Sequence, residues 1–174
     1  MSQSVESFAE LLAITRSSAL HLEMRDFYGV DGESADFATW KQSGTFDADP
    51  NSEYWQPWAT LVREAVARGV VMRRVRIFSA PPSEYIRFEH ATTAVNIAAG
   101  EQVRWLPRRQ ASDLHLPGND FWLFDDRLVQ FNIFAGNGHW AHTDFSEDPS
   151  VIKFCASAFD SAWARATDHS SFAL

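Results

Sequence analysis

The fold is decided by residues 101–126, EQVRWLPRRQASDLHLPGNDFWLFDD. Two short apolar runs in this stretch, residues 103–106 and 121–124, each have the length of a strand. The first stops at residues 107–109, Pro-Arg-Arg, and the second stops at Asp125 and Asp126. Charges at the ends of aromatic strands predict a polar rim around an apolar core.

Upstream of this stretch, helical and strand periodicities alternate. Leu20, Leu22 and Met24 alternate with polar residues as in a strand, whereas Gly69 and Gly100 follow stretches with helical spacing and mark helix ends. The predicted order is helix 4–15, strand 20–25, short helix 35–41, helix 54–68, strand 70–79 and helix 83–99. Alternating helices and strands imply crossover connections and a partly parallel sheet.

Downstream, the pattern predicts an antiparallel meander and a final helix. Residues 125–127 and 136–138 resemble tight turns that lead into strands 128–134 and 139–145. Asp148 and Pro149 then form a good helix start, and an apolar stripe follows at helical spacing. We therefore expect residues 1–174 to form a single α/β domain, with a mixed sheet of about five or six strands, helices packed on it and an amphipathic helix at the end.

Composition limits the function classes. Aromatic residues make up 14% of the chain, and its net charge is −8, which argues against a protein that coats nucleic acid. Nine of the fifteen basic residues and only four acids lie in residues 63–109, so this segment carries +5 and the flanks carry −13. The single cysteine, Cys155, and the absence of a signal or membrane-spanning pattern predict a cytoplasmic protein.

One set of charged residues alternates outward from the first three predicted strands. They are Glu23, Arg25, Arg74, Arg76 and Arg104. If the strands are neighbours, these side chains could gather on one face of the sheet and form a cleft for an anionic ligand. The alternative is an ion-pair network in which Glu23 and Glu89 neutralise the arginines, as buried charges usually require.

Other chemistries have weaker support in the sequence. The loop 79–83 precedes a predicted helix but lacks the glycines of a phosphate loop. His139 and His142, three apart on a strand, would point to opposite faces, so no metal and no cofactor is expected. Cys155 lies in an apolar stripe where a thiolate is disfavoured. A carboxylate pair could come from Asp113, Asp120, Asp125 and Asp126, although adjacent Asp residues at a turn are more often structural.

Several segments carry a family resemblance over nearly the whole chain. They are LEMRDFY (residues 22–28), RRVRIFS (73–79), YIRFE (85–89), AAGEQVRWLPRR (98–109), NDFWLFDD (119–126) and the closing aromatic helix. The sequence resembles an uncharacterised family of actinobacterial proteins that are commonly found near helix-turn-helix regulators. That resemblance implies a regulatory setting and brings no catalytic activity with it.

A second likeness is to the phospholipase-D-like α/β fold. FWLFDD (residues 121–126), turning into LVQFNIF (128–134), would occupy the place of that fold's catalytic-motif region. The superfamily uses His-x-Lys followed by Asp, but His115 is followed by Leu116 and Pro117. The likeness thus implies a fold without inherited phosphodiesterase chemistry.

These observations predict a non-catalytic regulatory or interaction protein that works with a helix-turn-helix transcriptional regulator. The candidate ligand residues are Glu23, Arg25, Arg74, Arg76, Glu89, Arg104 and Asp125. The alternative is a hydrolase or transferase for an anionic, phosphate-containing substrate. In that case Arg74, Arg76 and Arg104 would bind the negative charge of the substrate, and an acid such as Glu89 or Asp125 would take part in the reaction. Direct DNA binding is disfavoured by the acidic total, and no membrane association is expected.

Overall fold

A mixed seven-stranded sheet organises the chain in the computed structural model, which describes residues 5–29 and 34–174. The strands are β1 (Ser18–Glu23), β2 (Val71–Phe78), β3 (Gln102–Pro107), β4 (Asp120–Phe124), β5 (Leu128–Phe134), β6 (Trp140–Ser146) and β7 (Thr167–Asp168). They are ordered β6-β5-β4-β1-β2-β3-β7. The parallel β1, β2 and β3 join the antiparallel meander β4 to β6 where β1 pairs with β4.

The helices within the described residues form a layer on each face of the sheet. They are α1 (Val5–Ile14), α2 (Ser34–Ser43), α3 (Gln56–Ala67), α4 (Glu84–Ala99) and α5 (Pro149–Arg165). Helix α5 lies across β1 to β5 on one face, and α3 and α4 contact β2 and β3, with α1 packed on α3. None of these helices is both long and apolar enough to cross a membrane.

The helix boundaries follow their capping residues. Ser83 accepts a hydrogen bond from the Ile86 N–H at 3.1 Å and starts α4, which ends at Gly100 with φ +115°. Asp148 accepts from the Ser150 N–H at 2.7 Å and starts α5. These predicted boundaries are confirmed, since a side-chain acceptor satisfies an open backbone N–H at a helix start and glycine adopts positive φ at a helix end without a Cβ clash.

The expected strand count was wrong, because β7 adds a seventh strand. Its two residues follow α5 directly, and Trp105 and Arg104 of β3 pair with Thr167 and Asp168. A strand of two residues is too short to show a period of two, so the sequence carried no pattern for it. Gly29 and Gly32 interrupt the sequence between the first predicted strand and the short helix, and of these two Gly32 lies outside the described residues.

The two faces of the sheet are chemically different. On the α5 side, β1, β2 and β4 contribute Leu22, Val75 and Leu123 to an apolar core with Phe159. On the α3 and α4 side, an apolar cluster occupies the end of the sheet near Met72. A second apolar cluster, with Phe78 and Trp105, lies farther along the same face. Between the two clusters β2 presents Arg74 and Arg76, and the candidate site lies there.

Candidate functional site

Four charged or polar side chains form a ladder on the face of the sheet opposite α5. His21 and Glu23 of β1 lie directly across from Arg74 and Arg76 of β2 in the parallel register. Because side chains in a strand alternate between faces, all four point to the same side. Each is 5–8% exposed, so the ladder is buried.

The two arginines of the ladder are held by carboxylates. Glu23 contacts Arg74 Nη1 at 2.6 Å through Oε1 and Arg76 Nη1 at 2.9 Å through Oε2. Arg74 Nε also donates to Glu101 Oε1 at 2.8 Å, and Arg76 forms a second ion pair with Glu89 of α4. Burial alone would raise the pKa of Glu23, but the charges of Arg76 and Arg74 bring that pKa well below its ordinary value. The arginines are thus paired and fixed in position.

His21 acts as a neutral member of the ladder. Its Nδ1 lies 2.8 Å from the Phe121 carbonyl, its Nε2 lies 3.1 Å from Glu23, and its ring stacks on Trp122 at 4.2 Å between centroids. Burial lowers the pKa of His21 despite the nearby carboxylate. The neutral imidazole has a single N–H, so it donates to only one of these two acceptors, and it adds no charge to the ladder at neutral pH.

A cavity of about 590 Å³ lies over the ladder. Its aromatic lining comprises Tyr28, Tyr54, Trp55, Trp58, Tyr85, Trp122, Phe134 and Trp140. Tyr28 contributes to one wall of the cavity. The chain next to it is held in place because the Gly29 N–H donates to the Gly138 carbonyl at 2.8 Å. A concave, mostly apolar space with a few fixed polar groups is the usual form of a small-molecule site.

Asp120 is a third carboxylate in the lining of this cavity. It accepts hydrogen bonds from the Tyr28 hydroxyl and from the Met24 N–H, the latter at 2.9 Å. Burial raises the pKa of Asp120 to about 7, and the charge of Glu23 acts in the same direction. This side chain can therefore exchange a proton near neutral pH.

The structure brings together four of the seven residues predicted as ligand contacts. Glu23, Arg74, Arg76 and Glu89 all line the cavity. Their mutual pairing is the ion-pair alternative considered from the sequence. The other three predicted residues lie elsewhere, for reasons that follow from strand register and strand length.

Arg104 lies on the opposite face of the sheet. In the register of β2 with β3 it pairs with Val75, a residue of the α5 core, so its side chain points toward α5. Its guanidinium lies 4.2 Å from the centroid of the Trp163 ring, and its Nη1 donates to the Trp163 carbonyl at 2.9 Å. The expectation that Arg104 joins Arg74 on one face was therefore wrong.

Arg25 and Asp125 lie beyond the ends of β1. Arg25 follows the carboxyl end of the strand, and its guanidinium covers the Phe134 ring at 5.0 Å. Asp125 lies at the amino end, where its carboxylate accepts from the backbone N–H groups of residues 16–18 at 2.7–3.0 Å. Asp125 and Asp126 both have positive φ in the predicted tight turn, so the role of Asp125 is structural.

The remaining candidates from the sequence have different surroundings. His142 Nε2 lies 3.5 Å from Asp144 in an exposed pair, and the described residues contain no group of three or more potential ligands that could hold a metal ion. Cys155 is buried, and burial raises the pKa of its thiol to about 11. Asp113 pairs with Arg165 at the surface.

Sequence reasoning missed several members of the site. Glu101 binds Arg74 Nε and accepts a hydrogen bond from Asn96 Nδ2 at 2.6 Å, but the sequence analysis counted it only among the four acids of residues 63–109. Tyr28 was not singled out, and Asp120 was only one of four acids. The sequence did contain a pattern that indicates Asp120, because residues two apart in a strand lie on the same face. Asp120 and Trp122 of β4 therefore share the face of the cavity, while Phe121 and Leu123 point to the core.

The sheet and its helical layers define an α/β protein whose fold is similar to that of two solved phospholipase-D-like proteins. NucT from Helicobacter pylori matches with a TM-score of 0.56 and 11% identity, over 94% of this chain and 89% of that one. The phospholipase D family member Nuc from Salmonella typhimurium matches with a TM-score of 0.51 and 10% identity, over 92% and 86%. At such identities the likeness concerns the fold alone.

The family follows from the sequence itself. Residues 6–174 match a family model described as a domain of unknown function, DUF6879, and the chain belongs to that family. The comparison with curated proteins finds no match. The archaeal chromatin protein TrmBL2, described as having a novel mode of DNA binding, matches with a TM-score of 0.51 and 14% identity. The match covers 93% of this chain but only about half, 49%, of the TrmBL2 chain.

Proposed function

We propose that this protein is a non-catalytic regulatory protein that binds a small ligand in the aromatic cavity and passes the signal to a protein partner. The observation that carries the proposal is the floor of the cavity, where Glu23, Arg74 and Arg76 are buried and held rigidly by one another. A buried ion-pair network of this kind is weak evidence for a stabilising role, since well-packed apolar residues in its place often give equal or greater stability. Its position under an open cavity supports a role in recognition.

The pairing of the arginines favours binding over catalysis and argues against a simple anion cleft. An incoming anion would have to displace Glu23, which contacts both Arg74 and Arg76. The most reactive side-chain type, the thiol, belongs to Cys155, which lies in the apolar core on the other side of the sheet. The groups that remain to meet a ligand include the aromatic walls, Asp120 and uncharged polar side chains such as Asn132.

The partner we propose is a helix-turn-helix regulator, as the sequence resemblance implies. The acidic flanks, with −13 against +5 in the middle segment, would attract a basic DNA-binding module and would weaken direct binding to DNA. Trp55 and Trp140 line the cavity and are partly exposed. A ligand that moves these two rings would therefore alter the surface that a partner meets.

The test is co-purification with a co-expressed helix-turn-helix regulator from the same genomic neighbourhood. Asn132→Phe narrows the cavity from β5, and Ala141→Phe places the same ring on the exposed face of the neighbouring β6. We expect Asn132→Phe to change partner recovery and Ala141→Phe to leave it unchanged. Equal recovery with both variants, or recovery of DNA without any protein partner, would refute the proposal.

A second candidate, a hydrolase or transferase acting on an anionic substrate, is favoured by one observation. Asp120 holds a proton up to a pKa of about 7 and contacts Tyr28, as a general acid or base would. Incubation with generic phosphodiester substrates and divalent metals tests it. Turnover that is lost in Asp120→Asn and retained in the exposed control Asp144→Asn would establish this alternative.

A further inference from the structure

The cavity contains more acid than base. Its lining carries Glu23, Glu89 and Asp120 against Arg74 and Arg76, while burial holds His21 neutral. The ion pairs already engage both guanidinium groups, and Glu101 adds a further carboxylate behind Arg74. When Asp120 is ionised, the lining has one more negative than positive charge, so it attracts a cation more than an anion.

Asp120 is where the excess negative charge is located. It is only 3% exposed, and within residues 5–29 and 34–174 no arginine or lysine lies within ion-pair distance of its carboxylate. Its contacts are the Tyr28 hydroxyl and the Met24 N–H, and the charge of Arg25 acts on it from farther away. Buried carboxylates normally have a cationic partner, so this one lacks a charge that a ligand can supply.

The walls of the cavity suit a cation that is large and weakly hydrated. Ring faces attract positive charge, and this effect grows when water is excluded. Arg74 already occupies the faces of Trp58 and Trp122, at 5.6 Å from each centroid. Trp55 and Trp140 also line the cavity and are only half-buried, so their rings can enclose a ligand cation.

Two donors in the lining point to the rest of the ligand. Trp58 Nε1 and Arg76 Nε are both shielded from solvent, and neither has a hydrogen-bond acceptor among the described residues. Arg76 as a whole is 95% buried, being 5% exposed. A buried donor without an acceptor is costly, so an uncharged oxygen on the ligand would relieve a deficit that the protein leaves open.

We infer that the cavity selects a small organic cation, an ammonium group beside Asp120 within the aromatic walls, joined to a neutral hydrogen-bond acceptor such as a hydroxyl. This inference rests on the proposed function, because it assumes that the cavity is the ligand site. It specifies the ligand by charge, and it differs from the anionic ligand that the sequence suggested. The cation supplies the charge that Asp120 lacks, and the rings exclude water around it.

The experiment uses three probes with the full-length protein in isothermal titration calorimetry. Choline carries the cation and a hydroxyl, its uncharged carbon isostere dimethylbutanol has the same shape, and inorganic phosphate is the anion control. We expect choline to bind at least about tenfold more tightly than dimethylbutanol, a difference of about 1.4 kcal/mol. Phosphate should neither bind in the cavity nor displace choline.

Variants locate the effect. Asp120→Asn keeps the shape but removes the charge, so choline should bind about tenfold more weakly, whereas the exposed control Asp144→Asn should bind as wild type does. Trp140→Leu should weaken binding and Trp140→Phe should restore part of it, which keeps the test valid if Asp120→Asn folds poorly. Burial and the charge of Glu23 raise the pKa of Asp120 to about 7 against the lowering effects of Tyr28 and Arg25, so Asp120 is partly protonated there. Choline affinity should therefore rise as pH rises through 7, and Asp120→Asn should abolish this slope.

The outcomes separate the two proposals. Equal affinity for choline and dimethylbutanol, displacement by phosphate, or no choline binding at about 10 mM would overturn the cation inference. In the first two of these cases a ligand still occupies the cavity, so the proposed function stands. If instead no probe binds and Asn132→Phe also leaves partner recovery unchanged, the proposed function fails with it.

Discussion

Glu23→Gln should destabilise the protein strongly, because Glu23 joins the two buried arginines of the ladder. The substitution keeps the size of the side chain and removes its charge. Arg74 and Arg76, which are 8% and 5% exposed, then share the remaining carboxylates Glu101 and Glu89. The amide nitrogen of Gln is a donor, and it would lie against the N–H groups of a guanidinium, which are also donors. At least one hydrogen bond is therefore lost.

The magnitude follows from the contact distances. At an effective dielectric constant of about 20, a pair at 2.6 or 2.9 Å gains roughly 6 kcal/mol, so the loss of both contacts with Glu23 is about 12 kcal/mol before compensation. The variant no longer bears the cost of desolvating a carboxylate, which is several kcal/mol, and each arginine keeps one partner. We expect a net loss of about 3–5 kcal/mol, the range found when one member of a buried ion pair is removed.

Urea unfolding followed by tryptophan fluorescence and circular dichroism measures this loss. With a slope of about 2 kcal/mol per molar urea, the midpoint should fall by about 2 M at unchanged slope. Asp113→Asn, which breaks the exposed contact with Arg165, is the charge-matched control and should leave the midpoint unchanged. If Glu23→Gln unfolds within about 1 kcal/mol of wild type, the ladder does not hold its charges as the distances imply.

Three further predictions concern stability at other positions. Burial raises the pKa of Asp120 to about 7, so the ionised form of this side chain is unfavourable in the folded protein. As pH rises from about 4 to 7, wild type should therefore lose stability relative to Asp120→Asn. Melts of both proteins at matched pH values should show a loss of at most about 4 kcal/mol. Asp125→Ala removes the acceptor for three backbone N–H groups and should cost about 1.5–3 kcal/mol in urea unfolding; a neutral result would deny it a role at the start of β1. In α5, Phe159→Ala should cost about 3–5 kcal/mol and the half-buried Trp163→Ala less, and the reverse order would contradict the packing described.

Much of the architecture was predictable because local signals agreed with the tertiary structure. The caps at Ser83 and Asp148, the glycine ends of helices and the alternation in β1 and β2 are all short-range patterns. Thr92 and Thr93 of α4 are β-branched, which disfavours a helix, but both are helical and both hydroxyls donate to the Glu89 carbonyl, at 3.2 and 2.6 Å. Sequence reasoning therefore located the meander and the parallel crossover strands.

The site was only half predictable, because it depends on which strands are neighbours and in what register. Period two correctly put Glu23 on the face of Arg74 and Arg76, but only the pairing of β3 with β2 reveals that Arg104 shares the face of Val75. Asp125 shows the same limit, since its role comes from residues more than a hundred positions earlier in the chain. No local period encodes such contacts.

The position of the ladder in the sheet bears on why its charges are retained. The α5 face shows that these same strands can be covered by a purely apolar core, with Leu22 next to Glu23 and Val75 between Arg74 and Arg76. Stability therefore does not require the charges on the second face, where replacement by apolar residues is often neutral or favourable. What the charges do provide is a floor whose guanidinium groups are fixed beside Asp120, a carboxylate that can become negative near neutral pH. A selective binding site needs both properties, and an apolar floor would provide neither.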